Sequence, residues 1–161
     1  MCGACGIKVD WAGPVVAGPL RRRDIARCMT AVCPTVTVDA ISRGWMVRGR
    51  TGVTTPASTL DELCDALVPH VRLPGWEHLE EALLTVPAPS RVDAPEGELA
   101  CPSMIPEGST PVLGAVTHLP GHMKLAAFAL GVRSFASAAT VVTTIDPGYH
   151  LAARGGHLLG I

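Results

Sequence analysis

Glycine, proline or a charged residue interrupts every long apolar run of this 161-residue chain, which limits the fold to short elements. The chain has 17 glycines and 14 prolines, and both residue types end helices and strands. No run reaches the roughly 18 consecutive apolar residues that a membrane-spanning helix needs. Because 48% of the residues are nevertheless hydrophobic and only 17% are charged, we expect a folded protein built from short elements.

The spacing of apolar residues predicts an α+β fold that begins with a mixed helix and hairpin module over residues 1–86. A helical pattern covers 20–32 and ends before Pro34. The other elements predicted in this module are strands at 35–41, 45–48 and 50–55, a helix from 60 to 67 capped by Ser58 or Thr59, and a helix at 75–85.

Two further segments follow this module. Residues 87–111 are rich in proline and acidic residues, which predicts an extended or irregular connecting segment. Residues 112–161 are largely apolar and predict a helix and strand segment. The elements expected there are a strand at 112–116, a helix at 124–137 and a strand at 140–145 that ends in a turn at 146–148.

A pair of cysteines near the start of the chain has the spacing of a metal site. Cys2 and Cys5 form a Cys-x2-Cys pair followed by Gly6, so that two thiolates in one tight turn can face a single cation. This resembles the CxxCG knuckle of zinc-ribbon and treble-clef modules. The resemblance implies a structural zinc ion, with Cys28 and Cys33 as the second pair of ligands. That pair can converge only if its helix ends by about residue 30; otherwise both are small buried hydrophobes.

The same residues suggest an enzyme as the alternative. Once Met1 is removed, Cys2 would be the first residue, and the stretch 2–10 resembles the opening of class II glutamine amidotransferases. That resemblance implies an N-terminal cysteine nucleophile that uses its own α-amine as base. The chain departs from the family pattern because it contains no asparagine for the expected oxyanion segment.

The remaining cysteines and the histidines allow two interpretations. Cys64 lies on the apolar face of a predicted helix, which favours a buried structural thiol. His118, His122, His150 and Cys101 could together form an open metal site, with Asp146 in support. No known spacing motif connects them, and the alternative is that they are turn and surface residues.

Charge is distributed unevenly along the chain. Residues 1–50 carry eight Lys and Arg against three Asp and Glu, whereas residues 51–161 carry five against eleven. The cluster Arg21, Arg22 and Arg23 could contact nucleic-acid phosphates, but we favour carboxylates of the acidic stretch 61–107, within the chain or between subunits.

Together these patterns predict a small cytoplasmic zinc-binding protein with an accessory or protein-interaction role. The first residues lack the basic and apolar segments of a secretory signal, and in a reducing compartment paired cysteines are more often metal ligands than disulfides. The helix predicted at 124–137 is apolar on nearly all sides, so we also expect a homo-oligomer or a protein partner and no membrane.

Overall fold

The first half of the chain forms helices packed on a small antiparallel sheet. The computed structural model describes residues 10–161. Its helices here are α1 (Gly13–Val16), α2 (Pro19–Val32), α3 (Leu60–Leu67) and α4 (Trp76–Leu84), with a 3₁₀ turn at Val68–His70. Its strands are β1 (Thr37–Ile41), β2 (Gly44–Arg48) and β3 (Thr54–Ala57), which lie in the order β1-β2-β3.

Most local signals of the sequence operate as expected in this half. Pro19 occupies the start of α2, and Pro34 follows closely after its end. Thr59 caps α3: its Oγ1 accepts a hydrogen bond from the Glu62 amide at 3.2 Å, while the Glu62 carboxylate accepts one from the Ser58 amide at 2.6 Å. The first bond satisfies an amide in the first turn of the helix, and the second fixes the residue just before the cap, as in a capping box.

The third strand begins later than predicted. We expected residues 50–55, whereas β3 covers Thr54–Ala57 and pairs Ala57 with Trp45. The turn at Gly52, with φ of 82°, uses the residues that the prediction gave to the strand. A glycine is also required at Gly44, because a Cβ there would lie 2.0 Å from the carbonyl oxygen of Ala57.

The second half forms one long helix and a four-stranded sheet. Its elements are β4 (Thr110–Pro111), α5 (Gly121–Ser134), β5 (Val141–Asp146), β6 (Tyr149–Arg154) and β7 (His157–Leu158). The sheet order is β4-β5-β6-β7, with β4 parallel to β5 and the other pairs antiparallel.

The strand predicted at 112–116 is wrong. The structure has the two-residue strand β4 just before it, and the chain then turns, with the Val116 amide bonded to the Leu113 carbonyl at 3.2 Å. Leu113 adopts a φ of 58°, which a continuing strand cannot accommodate. The hairpin of β6 and β7 was not predicted, because glycines interrupt its apolar pattern.

The two halves share a hydrophobic core, and α5 lies at its centre. Every residue from Gly121 to Val132 is buried, and α5 packs against α2, α3, α4 and β5 of the same chain. The core therefore includes residues on both sides of the irregular segment 87–109, for example Ile25 and Phe128. The α+β fold class is confirmed. Because the chain covers α5 itself, this helix gives no reason to invoke a second subunit.

Across residues 10–161, we find no helix with the length and apolar character that crossing a bilayer requires.

Candidate ligand pocket

A pocket of about 670 Å³ opens between β5, the turn region 111–119 and the first turns of α5. This volume lies within the range of about 300–1,000 Å³ that is usual for small-molecule sites. Its walls are mostly aliphatic, and they include Ile105, Val112, Val116, Leu119, Val142 and Ile145. Apolar walls with a few polar groups are typical of a site that binds an organic molecule.

The first unusual polar group in the pocket is Lys124. It lies in the first turns of α5, which fixes its position between the turn region and β5. The residue is only 7% exposed, and it takes part in none of the ion pairs formed within residues 10–161. Burial lowers the pKa of the ammonium group, while the charge of Glu80 acts in the opposite direction. The Glu80 carboxylate itself accepts a hydrogen bond from the Ala115 amide at 3.1 Å.

The second is Thr143, at the middle of β5. Its neighbours two positions away, Val141 and Ile145, belong to the hydrophobic core, so strand alternation places Thr143 on the same face. Thr143 is 3% exposed, and its Oγ1 is buried without a hydrogen-bond partner among the residues that the structure describes. A buried hydroxyl without a partner costs about 1–3 kcal/mol, which a ligand recovers only if the Thr143 side chain rotates to turn this oxygen toward the pocket.

Asp146 and His150 also line the pocket. Asp146 is exposed at the end of β5, and His150 Nδ1 lies 3.1 Å from the Thr144 hydroxyl. A Cβ at Gly121 would lie 2.7 Å from both Asp146 carboxylate oxygens, so glycine at the start of α5 permits their close approach. The pocket thus combines a buried cation, a buried hydroxyl and an exposed carboxylate.

A buried polar cluster near this end of α5 joins it to α2. His122 Nε2 lies 2.9 Å from Asp24 Oδ2, and both side chains are almost fully buried. Burial lowers the pKa of His122, and the charge of Arg21 adds to this, although the hydrogen bond to Asp24 opposes it. A neutral imidazole therefore donates Nε2–H to the carboxylate. The cluster does not line the pocket, and we assign it a structural role.

The predicted zinc ligands are divided between described and undescribed residues. Cys2 and Cys5 lie outside residues 10–161. Cys28 and Cys33 are both buried, and burial raises the pKa of Cys28 to about 12 and that of Cys33 to about 11. The α2 helix continues to Val32, past the residue by which convergence requires it to end, and this weighs against the pair as ligands. The four-cysteine site stays a prediction.

The other predicted site residues lie in separate contacts. His118 Nε2 bonds to the Val86 carbonyl at 2.7 Å, His122 to Asp24, and the Cys101 thiol to the Leu159 carbonyl at 3.3 Å. Within the described part of the chain no three His, Cys, Asp or Glu side chains form a group able to hold a metal ion. Cys64 is buried as expected, and burial raises its pKa to about 12.

Two arginines of the cluster form hydrogen bonds within the chain. Arg21 is buried, and it donates hydrogen bonds to the Asp93 carbonyl at 2.9 Å and to the Val15 carbonyl at 2.8 Å. Arg22 bonds to the Ser42 carbonyl at 3.0 Å. Arg21 thus binds a main-chain carbonyl of the acidic stretch, whereas from the sequence we favoured the carboxylates of that stretch.

Neither Lys124 nor Thr143 was identified as a site residue from the sequence. The signal that could have found Lys124 is its position in a helix that is otherwise apolar on nearly all sides, where a lone charge must be buried. Thr143 carries no comparable signal, because threonine is common in strands.

No protein-family model, curated protein or solved structure matches this chain.

Proposed function

We propose that this protein binds a small organic molecule in the pocket between β5 and α5. The observation that carries the proposal is that two buried polar residues, Lys124 and Thr143, line the aliphatic pocket. Among residues 10–161, Lys124 has no ion-pair partner and the Thr143 hydroxyl has no hydrogen-bond partner. Buried polar groups are otherwise nearly always paired. A ligand that partners them would offset their desolvation.

The volume and lining of the pocket support the same proposal. Aliphatic walls at Val112, Leu119 and Val142 favour a ligand with an apolar body, because each buried methylene contributes about 0.8 kcal/mol. The pocket is continuous with the surface, so a ligand can enter without unfolding the core.

Titration with the neutral fluorescent dye prodan tests this function without requiring the natural ligand. We expect saturable binding of one dye per chain. Gly114 lines the pocket, and a Cβ there would meet nothing within 4 Å, so Gly114→Phe should fold normally and compete with the dye for space. Gly75→Phe is the matched control, because a Cβ at Gly75 also meets open space and this residue does not line the pocket.

The proposal predicts that Gly114→Phe weakens prodan binding at least tenfold and that Gly75→Phe leaves it unchanged. Absence of saturable binding to the wild-type protein, or equal binding by the wild type and Gly114→Phe, would show that the pocket is not a ligand site.

The zinc-binding role remains a second proposal, and it rests on the spacing of Cys2, Cys5 and Gly6. Metal analysis of the purified protein tests it. If Cys2→Ser and Cys5→Ser lower both the zinc content and the melting temperature while Cys64→Ser lowers only the melting temperature, the first two residues are ligands. Retention of full stability by both variants in a strong chelator would exclude structural zinc.

A further inference from the structure

The polar groups of the pocket define the charge of the ligand, an inference that rests on the proposed ligand-binding function. Lys124 offers an ammonium group on α5, and Thr143 offers a hydroxyl on the facing surface of β5. Both line the same pocket, and both are more than nine-tenths buried. An ammonium group can donate three hydrogen bonds to an anion, and a free hydroxyl can donate one.

We propose that the pocket binds an aliphatic monocarboxylate, with its carboxylate bound by Lys124 Nζ and, once the Thr143 side chain rotates toward the pocket, by Thr143 Oγ1, which is closed to solvent in this structure. A carboxylate has two oxygen atoms, so each can accept from one of these donors. Charge-assisted hydrogen bonds of this kind are about twice as strong as neutral ones, and the buried setting screens them little.

Asp146 restricts the number of charges that the ligand can carry. Its carboxylate lines the pocket, and it lies next to Gly121 at the start of α5. A second negative charge on the ligand would be repelled by this carboxylate, although the charge of Arg21 partly balances it. A single carboxylate therefore suits the pocket better than a phosphate monoester, which carries close to two charges at neutral pH.

The aliphatic walls determine the rest of the ligand. Val112, Leu119, Val142 and Ile145 offer methyl and methylene contacts and no hydrogen-bonding side chains. The chain has only six Phe, Tyr and Trp residues, and none of them lines this pocket, so stacking on such rings does not select a planar ligand. A short unbranched or lightly branched chain attached to the carboxylate matches these walls.

Three probes with the same eight-carbon chain test the charge: octanoate, 1-octanol and octyl phosphate, titrated by calorimetry at pH 7. We expect the wild-type protein to bind octanoate about tenfold more tightly than octanol, and octyl phosphate more weakly than octanoate. In Lys124→Met octanoate binding should weaken until the preference for octanoate over octanol disappears. Thr143→Val, which keeps the shape of the side chain, should reduce octanoate binding several-fold.

The outcomes separate this inference from the function on which it rests. Equal affinities of the wild type for octanoate and octanol, a preference that survives in Lys124→Met, or tighter binding of octyl phosphate would overturn the monocarboxylate assignment and leave ligand binding intact. If none of the three probes binds and prodan also fails to bind, both proposals are wrong. Far-ultraviolet circular dichroism spectra and cooperative thermal unfolding like those of the wild type show that Lys124→Met and Thr143→Val are folded.

Discussion

Lys124 places a positive charge in a largely apolar region, which opposes folding when no anion is present. An ammonium group loses hydration energy on burial, and within residues 10–161 no ion pair compensates this loss, which the charge of Glu80 offsets only in part. Residues that bind ligands commonly reduce stability in this way, because the site is complementary to the complex rather than to the free protein.

Lys124→Met should therefore stabilise the free protein while weakening carboxylate binding. Methionine fills a similar volume without a charge, and we expect a gain of about 1 kcal/mol in the free energy of unfolding at pH 7, or roughly 2–4 °C in melting temperature. Differential scanning calorimetry measures this. A lower melting temperature for the variant would show that the ammonium group is already stabilised within the free chain.

The direction of the pKa change adds a pH test of the same residue. In the folded protein Lys124 loses its proton below pH 10.5, its ordinary pKa, whereas in the unfolded chain it keeps the proton up to about that pH. Because the unfolded state binds more protons just below pH 10.5, the stability of the folded wild-type protein rises with pH there. The stability difference between Lys124→Met and the wild type should thus narrow as the pH approaches 10.5.

His122 should make the protein sensitive to acid. Its pKa is lowered by burial from 6.5, so on acidification the unfolded state takes up the proton first. The stability contribution is complete above pH 6.5 and is lost as the pH falls below that value. Urea denaturation between pH 7 and 5 should show a steeper loss for the wild type than for His122→Gln. Parallel curves for the two proteins would contradict the lowered pKa.

At the scale of elements, close packing of α5 against α4 depends on a glycine. A Cβ at Gly131 would lie 2.4 Å from Cζ3 of Trp76 and 3.0 Å from Cδ2 of Leu79. Trp76 also packs against Phe128, with ring centroids 5.4 Å apart. The two helices can approach this closely only because the Gly131 position has no side chain.

We expect Gly131→Ala to destabilise the protein by about 1–3 kcal/mol, since the rigid indole ring must move. Gly75→Ala, where a Cβ meets open space, is the control and should change stability by less than about 0.5 kcal/mol. Chemical denaturation of both variants measures the difference. If Gly131→Ala is as stable as the control, α4 and α5 are not packed as described.

The elements that the sequence predicted well are those with strong local signals. The periodicity and prolines of α2, the cap of α3 and the β-branched run of β5 are short-range features, and they mark the elements to within a few residues. β4 has two residues and depends on its parallel pairing with β5, which no local pattern reveals. The pocket forms where α5 packs near β5, so the sequence alone could not show that polar residues of these two elements line the same pocket.

In the molecule as a whole, β6 holds β5 in place, and β5 forms one wall of the pocket. β6 pairs with β5 along most of its length and contributes Leu151, Ala152 and Ala153 to the buried residues. Without β6, the strand that carries Thr143 would have an unpaired edge, and such edges promote aggregation.

Truncation after Asp146 should therefore yield an aggregating protein that no longer binds prodan. Removal of Ile161 alone, which is 64% exposed, should leave solubility and binding unchanged. Light scattering of both purified proteins measures their aggregation. A soluble, monodisperse truncated form that binds the dye would show that β6 is not needed to maintain the pocket.

A two-dimensional ¹H–¹⁵N NMR titration of the intact protein with octanoate shows directly whether the pocket binds a carboxylate. We expect saturable shifts at amides around the pocket, including those of Val112, Lys124 and Thr143, and no comparable shifts at residues that do not line it, such as Arg48 and Arg72. Saturable shifts elsewhere on the chain, or no shifts at millimolar octanoate, would contradict the assignment of this pocket as a carboxylate-binding site.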